Sequence, residues 1–387
     1  MRQPRWRDLS QERTMQATSP VTATAASIKR TIPLAKSPKQ FLSVYLRTSP
    51  EAVLTHEARL RLLPRLDEIV ERLRGTPFER QFAEDRARVV SFMEGLRQPG
   101  GATLALFSSV EAKHWSAMWL PMAVDDRVRY RHGAAVMPLL DVIDELEPVA
   151  AVYVANDTAR LIAIDAGRLA STAQVSGQVI SQHKGLTKNE HDKALRQHVA
   201  NLASRVEAFV GQHQAGRLFV AGTPEALGML RDELSPAMRN RVAGEVRLPS
   251  YASDDAFAQA VLPEARKAER EAELRMVREV ITRGEKHQGA VLGAAATLGA
   301  VARREVRTVF RAIDAAQTAR YSPVSNLLLA PEDVRDPKTD IPTLVVPLEA
   351  ELPAFAMTHG AGVEVVHGEA AALLAPYGGL AAILQTR

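Results

Sequence analysis

The sequence predicts an α/β protein of three mixed α/β domains, in which the central domain has an antiparallel-led sheet and a long helix, and the last is an α/β/α sandwich. Short apolar runs typical of buried strands alternate along the chain with longer segments whose apolar residues recur at helical spacing. The 387 residues exceed one ordinary core, so two or three domains are expected. A hydrophobic fraction of 46% is typical of a chain with packed cores.

The predicted domains follow a basic extension, residues 1–32. Residues 1–30 carry six basic and two acidic side chains, and the remaining chain carries 43 of each, so the net charge of +4 lies in the extension. The basic balance is therefore weak support for nucleic-acid binding by the folded body. The extension is rich in Ser, Thr, Ala and Arg and lacks the apolar segment of a secretory signal, which predicts a disordered tail.

Several classes of protein are excluded by what the sequence lacks. There is no cysteine, which rules out disulfides, thiolate metal ligands and cysteine nucleophiles. No apolar run approaches the roughly 20 residues that cross a bilayer, so we expect a soluble, cytoplasmic protein without membrane contact. No glycine-rich phosphate loop ending in Lys-Ser or Lys-Thr occurs, so the chain is not expected to be a GTPase, and no cofactor is expected.

The first domain is predicted over residues 33–147. The alternation of FLSVYLRTS, residues 41–49, predicts a half-buried strand, and two helical stretches follow as far as about Gly95. ATLALFSS and HWSAMWLP are mostly apolar runs, and we interpret Trp115 and Trp119 in the second as a core or interface pair rather than a platform for stacking bases. The pairs Asp125–Asp126 and Asp254–Asp255 are interpreted as turn or helix-start residues.

The central domain is predicted over residues 148–258. VAAVYVAN, RLIAIDAG and RLASTAQVSG predict three strands joined by polar turns. A long helix follows, because its apolar residues are spaced by four, three, four and three positions: Leu195, Val199, Leu202, Val206 and Phe209. RLFVAGT then predicts a buried strand, and Pro224 begins another helix.

The last domain is predicted over residues 259–387. A charged helical segment from about Asp254 leads into it. GAAATLGAVARREV is helical in pattern, VRTVFRAI resembles a strand, and a proline-rich interruption separates them from GAGVEVVHG, a strand bounded by glycines. Alternation of helix and strand favours an α/β/α sandwich.

The segment SQHKGLTKNEHDKALRQH, Ser181 to His198, crowds basic residues and histidines before and into the long helix. His191 and His198 are seven residues apart, about 10 Å along a helix, which disfavours a shared metal ion, and no metal is expected. The histidines either border the apolar stripe or contact RNA. The lysines and arginine form either a solvated face or a phosphate-binding surface; cations at a helix start oppose the helix dipole, which favours phosphate.

The C-terminal run AGVEVVHGEAAALLAPYGGLAAIL resembles the closing strand, helix, Gly-Gly turn and strand of a known family. Val149 to Gly244 is similar to the central domain of the same family in strand order, loop position, long helix and the following VAGTPEALGML. The family is that of the bacterial relatives of the archaeal and eukaryotic class 1 translation release factors, which has Pelota-like and Balon-like members. The resemblance implies the predicted fold over roughly residues 33–387.

The resemblance places a hydrolytic loop at residues 181–189. In the family this loop carries Gly-Gly-Gln, whose glycine backbone approaches the ester of peptidyl-tRNA and positions a water. Gly185 matches one glycine, Lys184 stands where the other is expected, and Lys188 or Asn189 stands in place of glutamine. A second possibility, SGQ at Ser176 to Gln178, lies about eleven residues too early.

The resemblance implies a ribosome-binding translation factor that mimics tRNA and occupies the A site in hibernation, protection or rescue. Its partners would be ribosomal RNA, peptidyl-tRNA and a translational GTPase such as elongation factor Tu, and the chain would be a monomer. The expected RNA-binding residues are His183, Lys184, Gly185, Lys188, His191, Lys193 and Arg196. Two alternatives stay open: a peptidyl-tRNA hydrolase that uses Gly185, Lys188 and Asn189, and a protein-interaction scaffold off the ribosome.

Overall fold

A computed structural model describes residues 20–48, 54–96, 100–155, 158–176, 188–315 and 318–385. The side chains of residues 54–56, 176 and 188–198 lie outside the described part. The chain divides into two compact units. The first takes residues 39–131 and the described residues before 23, and the second takes residues 23–38 and everything from 132 onward.

The first unit is a five-stranded sheet covered on one face by two helices. Its strands are β1 (Val21–Thr22), β2 (Gln40–Arg47), β3 (Thr103–Ser109), β4 (His114–Leu120) and β5 (Arg127–His132), in the order β1-β4-β3-β2-β5. Its helices are α2 (Leu54–Leu73) and α3 (Glu79–Gly95). Alternate β2 residues Leu42, Val44 and Leu46 pack against them, with Leu62, Leu66, Phe82 and Val89. These elements match the two helical stretches and the apolar runs in the sequence.

The predicted disordered extension over residues 1–32 is wrong for its last part. Val21–Thr22 forms β1, which pairs with β4, and α1 (Ala25–Thr31) follows at once. Thr24 caps α1 in a reciprocal capping box with Ser27, and Ile28 is 1% exposed. A low apolar content hid this helix, because one buried isoleucine among Ala, Ser and Thr gives little periodic signal.

The second unit contains a central sheet of mixed direction. Its strands are β6 (Val149–Val154), β7 (Thr158–Asp165), β8 (Arg168–Ser176), β9 (Arg217–Gly222) and β10 (Val242–Glu245), in the order β10-β9-β6-β7-β8. The pairs β6–β7 and β7–β8 are antiparallel, whereas β9 runs parallel to β6 and to β10. The antiparallel-led central sheet is therefore confirmed, with β10 as an added edge strand.

Helices cover both faces of the central sheet. On one face lie α5 (Lys188–Gln212) and α6 (Pro224–Glu233), with Val199, Leu202, Val206 and Phe209 of the predicted stripe buried. The short helix α7 (Pro236–Arg239) follows α6. On the other face, Phe257 and Val261 of α8 (Asp254–Glu285) pack on Val149, Ile162 and Phe219.

A second sheet closes the unit as a sandwich. Its strands are β11 (Ala290–Leu292), β12 (Val306–Ala312), β16 (Gly362–Val366) and β17 (Leu380–Leu384), in the order β11-β17-β12-β16. One face packs on α9 (Ala294–Ala302) and α10 (Leu348–Thr358), and the other on α11 (Gly368–Leu374) and the second half of α8. This is the predicted α/β/α arrangement.

The long helix α8 links the two sheets. At 32 residues it is about 48 Å long, so its first half reaches the central sheet while Val277 and Val280 reach the sandwich. A shorter helix, α4 (Met137–Glu145), leads into β6 and packs through Met137 on the sandwich core. The predicted domains 148–258 and 259–387 therefore share one compact unit.

The proline-rich segment, residues 321–346, lies in a small sheet that was not predicted from the sequence. It consists of β13 (Thr318–Ser322), β14 (Leu327–Leu329) and β15 (Leu344–Pro347), with β13 between the other two. Large side chains at least 41% exposed concentrate here: Val324, Val334, Ile341, Leu344 and Val345. No helix among the described residues is long and apolar enough to cross a bilayer.

Candidate functional site

The loop predicted to meet RNA lies outside the described residues. This holds for His183, Lys184 and Gly185, and for Gly177 and Gln178 of the alternative tripeptide. Lys188, Asn189, His191, Lys193 and Arg196 lie in the first turns of α5, where only the backbone is described. Their roles in binding RNA or in hydrolysis therefore stay predictions.

The helix that follows this loop is firmly held. Leu202 and Val206 are 2% and 0% exposed, and both pack on the central sheet with Leu227 and Leu230 of α6. On the other side of the loop, β8 forms the edge of the same sheet, paired along its length with β7. The strand before the loop and the part of α5 from Val199 onward therefore pack in the same sheet and its core.

The structure reveals a second set of functional candidates, which we call the junction cluster. It lies where α4, the middle of α8, the start of β9 and the end of β16 meet. It combines seven carboxyl groups with two arginines and one histidine: Asp141, Asp144, Glu145, Glu147, Glu269, Glu273, Glu364, Arg217, Arg270 and His367. Acidic groups therefore outnumber basic groups by more than two to one.

The two arginines pair acids from different elements. The Arg217 guanidinium lies 2.8 Å from Glu147 and 2.5 Å from Glu269, so it ties β9 to the segment after α4 and to α8. Arg270 donates to both oxygens of Glu273 at 2.7 Å and also contacts Glu145 on α4. Glu273 is 1% exposed, so these partners replace the water that its carboxylate has lost.

His367 is the third cation of the junction cluster. Its Nε2 lies 2.8 Å from Asp141, and its Nδ1 lies 3.4 Å from both Glu145 and Glu273. Burial alone would lower the pKa of the imidazole, but hydrogen bonds to Asp141 and Glu273 raise that pKa to about 9. The ring is therefore charged at neutral pH and joins α4 to α8 at the end of β16.

Two carboxyl groups of the cluster hold protons far above their ordinary range. Burial, with repulsion from Glu364, raises the pKa of Asp144 to about 8, although its carboxylate accepts a hydrogen bond from the Val365 amide at 3.3 Å. Burial and the charges of Glu269 and Glu273 raise the pKa of Glu364 to about 7. The pKa of Glu269 is also raised, mainly by burial.

The cluster raises the question of a metal. Asp141, Glu145 and His367 each present a ligand atom within 4.8 Å of the others. However, the Arg270 guanidinium already lies on Glu145 and Glu273 and supplies positive charge there. We therefore assign the three side chains to the ion-pair network and not to a metal site.

No local pattern in the sequence indicates the junction cluster. Its members are spread from position 141 to position 367 and are brought together only by the packing of α4 and α8 on the sandwich. The single local sign is Glu269, Arg270 and Glu273 on one helix, and charged residues on helices are usually solvated. The burial of Glu269 and Glu273 was therefore unexpected.

The other residues considered from sequence have structural roles. Trp119 is 4% exposed in the first core and Trp115 packs edge-on against Phe92, which confirms them as a core pair. Asp126 lies between β4 and β5 and pairs with Arg61 at 2.7 Å. Asp254 and Asp255 begin α8, after the capping Ser253, as predicted.

The order of elements, with an antiparallel-led sheet and long helix followed by an α/β/α sandwich, is that expected of the release-factor relatives. Residues 135–270 match the model of bacterial archaeo-eukaryotic release factor family 10. The match begins before α4 and ends within α8, so it covers the whole central sheet. No curated protein matches the chain.

Three solved structures illustrate what this chain is similar to. A ribosome-bound archaeal Pelota, in a model with ABCE1, is 12% identical, covers 95% of each chain and has a TM-score of 0.43. Dom34 of S. cerevisiae, a translation termination-like factor, is 7% identical over 73% of this chain and 86% of its own, with a TM-score of 0.42. Archaeoglobus fulgidus Pelota is 15% identical over 73% and 80%, with a TM-score of 0.35.

Proposed function

We propose that the chain is a ribosome-binding translation factor that occupies the A site and acts in hibernation, protection or rescue. The observation that carries the proposal is the release-factor match over residues 135–270, which includes the sheet and helix on either side of loop 181–189. The loop would face the acceptor end of tRNA. Because β8 and the part of α5 from Val199 onward are held by one sheet and its core, a basic loop between them could reach RNA without disturbing that core.

The sequence of the loop favours a role without peptide release. Gly185 is preceded by Lys184 and followed by Lys188 and Asn189, where the family expects a second glycine and a glutamine. A lysine side chain hinders close approach of the backbone to an ester, whereas its ammonium group binds phosphate. The loop would therefore hold RNA and leave the ester intact.

Co-sedimentation with ribosomes tests the binding role. We expect the chain to pellet with ribosomes at about 50 mM salt and to dissociate as salt rises to about 200 mM, because phosphate contacts release counterions. Replacing both Lys184 and Lys188 by alanine should weaken binding. Lys267→Ala, at an exposed position of α8, is the matched control and should bind normally. Failure of the unmodified chain to pellet at low salt would contradict the proposal.

The peptidyl-tRNA hydrolase alternative is tested on purified ribosomes that carry peptidyl-tRNA. We expect no release of peptide above the spontaneous rate. Release that is lost in Gly185→Ala and in Lys188→Ala would establish the hydrolase instead. Release that persists in both variants would point to contamination, and the proposal would stand.

We further propose that the sandwich receives a translational GTPase such as elongation factor Tu. The exposed aliphatic side chains on the small sheet support an apolar contact, since monomeric surfaces seldom concentrate such residues. The paired change Leu344→Asp and Val345→Asp should abolish capture of purified elongation factor Tu in its GTP form. Leu60→Asp, equally exposed on α2 of the first unit, should leave capture unchanged.

A further inference from the structure

We propose that the junction cluster is a proton-dependent latch, which holds the sandwich to α4 and α8 at neutral and acidic pH and loosens as pH rises. It is the one place in the described residues where both connecting helices and an edge strand of the sandwich meet through charged side chains. The latch would act in the free protein and does not depend on ribosome binding.

The first part of the latch is the contact between the edge of β16 and α4. This strand is the last in the sandwich sheet, so its outer backbone groups face α4. The Val365 amide donates to Asp144 of α4, and Glu364 lies one residue earlier on the same strand. Two half-buried carboxyl groups so placed repel each other unless at least one of them is neutral.

The second part of the latch consists of the cations His367 and Arg270. Asp141 and Glu145 come from α4 and Glu273 from α8, and a charged imidazole between them attracts all three. The His367 backbone amide also donates to Glu273 at 3.0 Å. The imidazole and Arg270 therefore neutralise the acids that join the two helices to the sandwich.

Each element packed at the junction presents charged groups. Helix α4 and the segment after it present Asp141, Asp144, Glu145 and Glu147; α8 presents Glu269, Arg270 and Glu273; β9 presents Arg217; β16 and its end present Glu364 and His367. Loss of a proton at Glu364, Asp144 or His367 adds negative charge or removes positive charge. Every step thus makes an acidic cluster more repulsive.

The direction with pH follows from the pKa values. The pKa values of Glu364 and Asp144 are about 7 and about 8, whereas an unfolded chain loses these protons near about pH 4. Their stabilising contribution is therefore full below about pH 4, declines above it and is lost as pH rises through the folded pKa values. The pKa of His367 is raised to about 9, so its contribution is also lost toward alkaline pH. All three groups loosen the latch in the same direction.

Distance measurements between spin labels test the latch directly, because the chain has no native cysteine. We place labels at Glu225→Cys on α6 and Thr358→Cys at the end of α10, both exposed positions on opposite sides of the junction. We expect a narrow distance distribution at about pH 6 and a broader one at about pH 9, as the carboxyl groups lose their protons. An unchanged distribution over this range would overturn the proposal.

Variants separate the latch from general alkaline unfolding. Asp144→Asn with Glu364→Gln should keep the distribution narrow at about pH 9, because neither amide ionises. Glu279→Gln, in an exposed pair with Arg283 on α8, should broaden like the unmodified chain. His367→Gln should broaden already at about pH 6, because Asp141 and Glu145 lose their cation. Broadening of the Asp144→Asn, Glu364→Gln chain equal to that of the unmodified chain would also overturn the proposal.

Discussion

At the scale of single residues, carboxyl groups that are buried or half-buried differ in whether their surroundings stabilise the anion. Asp336, 1% exposed in the loop before β15, accepts hydrogen bonds from Ser322, Ser325 and the Lys338 amide, and these hold the pKa of its carboxyl well below the ordinary range. Asp144 has one long backbone donor and acidic neighbours, and its pKa is raised. The number of donors decides between the two outcomes.

Asp336 should make the small sheet sensitive to acid. A carboxyl with a lowered pKa stabilises the folded protein above its unfolded value, and this contribution is lost as pH falls below about 4. Asp336→Asn should therefore lower the Tm at neutral pH, with a smaller difference at about pH 3. Asp340→Asn, at a carboxyl that is 84% exposed, is the control on the same loop and should change the Tm little. Thermal unfolding followed by circular dichroism at both pH values measures the difference.

Arg270 should be the most costly member of the junction cluster to remove. Arg270→Ala would leave the buried carboxylate of Glu273 and that of Glu145 without their guanidinium, and breaking a buried pair in this way costs roughly 3–5 kcal/mol. Arg283→Ala, in an exposed pair on the same helix, should cost under about 1 kcal/mol. Urea unfolding at neutral pH measures both; equal costs would show that the cluster is solvated.

At the scale of elements, the turn between α11 and β17 offers a matched pair of glycines. Gly378 and Gly379 both have positive φ, 65° and 73°. A Cβ on Gly378 would meet nothing within 4 Å, whereas one on Gly379 would lie 2.6 Å from the Ala315 Cβ and 2.8 Å from its Cα. Gly378→Ala should therefore cost about 1 kcal/mol from backbone strain alone, and Gly379→Ala clearly more. Equal free energies of unfolding would contradict the packing of this turn.

Some elements could be predicted from the sequence and others could not. Strands such as β3, β6 and β9 are buried along most of their length, and α5 has apolar residues at regular helical spacing. These patterns are local in the sequence, so the elements were predicted. The small sheet was missed because its strands are three to five residues long and separated by prolines. The junction cluster was missed for another reason: each acid is unremarkable in its own segment, and only tertiary packing makes it buried.

At the scale of the whole molecule, the second unit is discontinuous in sequence. Residues 23–38 belong to it, the chain then forms the first unit through residue 131, and it returns. The Ala25 amide donates to Asp165 of β7 at 3.0 Å, and the Ala134 amide donates to Leu34 at 3.0 Å, so both ends of the early segment are fixed in the second unit. The release-factor match begins at residue 135, after this segment.

This topology predicts that residues 23–38 stabilise the second unit, contrary to a tail that ends at residue 32. Ile28→Ala should cost roughly 2–5 kcal/mol, because Ile28 is 1% exposed and the cavity cannot fill. Deleting residues 1–19 keeps every described element and should leave the Tm unchanged, whereas deleting residues 1–36 should lower it steeply. Faster hydrogen exchange at β7 and at α10, which packs near residues 32–36, with unchanged exchange at α2 of the first unit, locates the loss in the second unit. Equal Tm values for the two deletions would mean that α1 does not stabilise the fold.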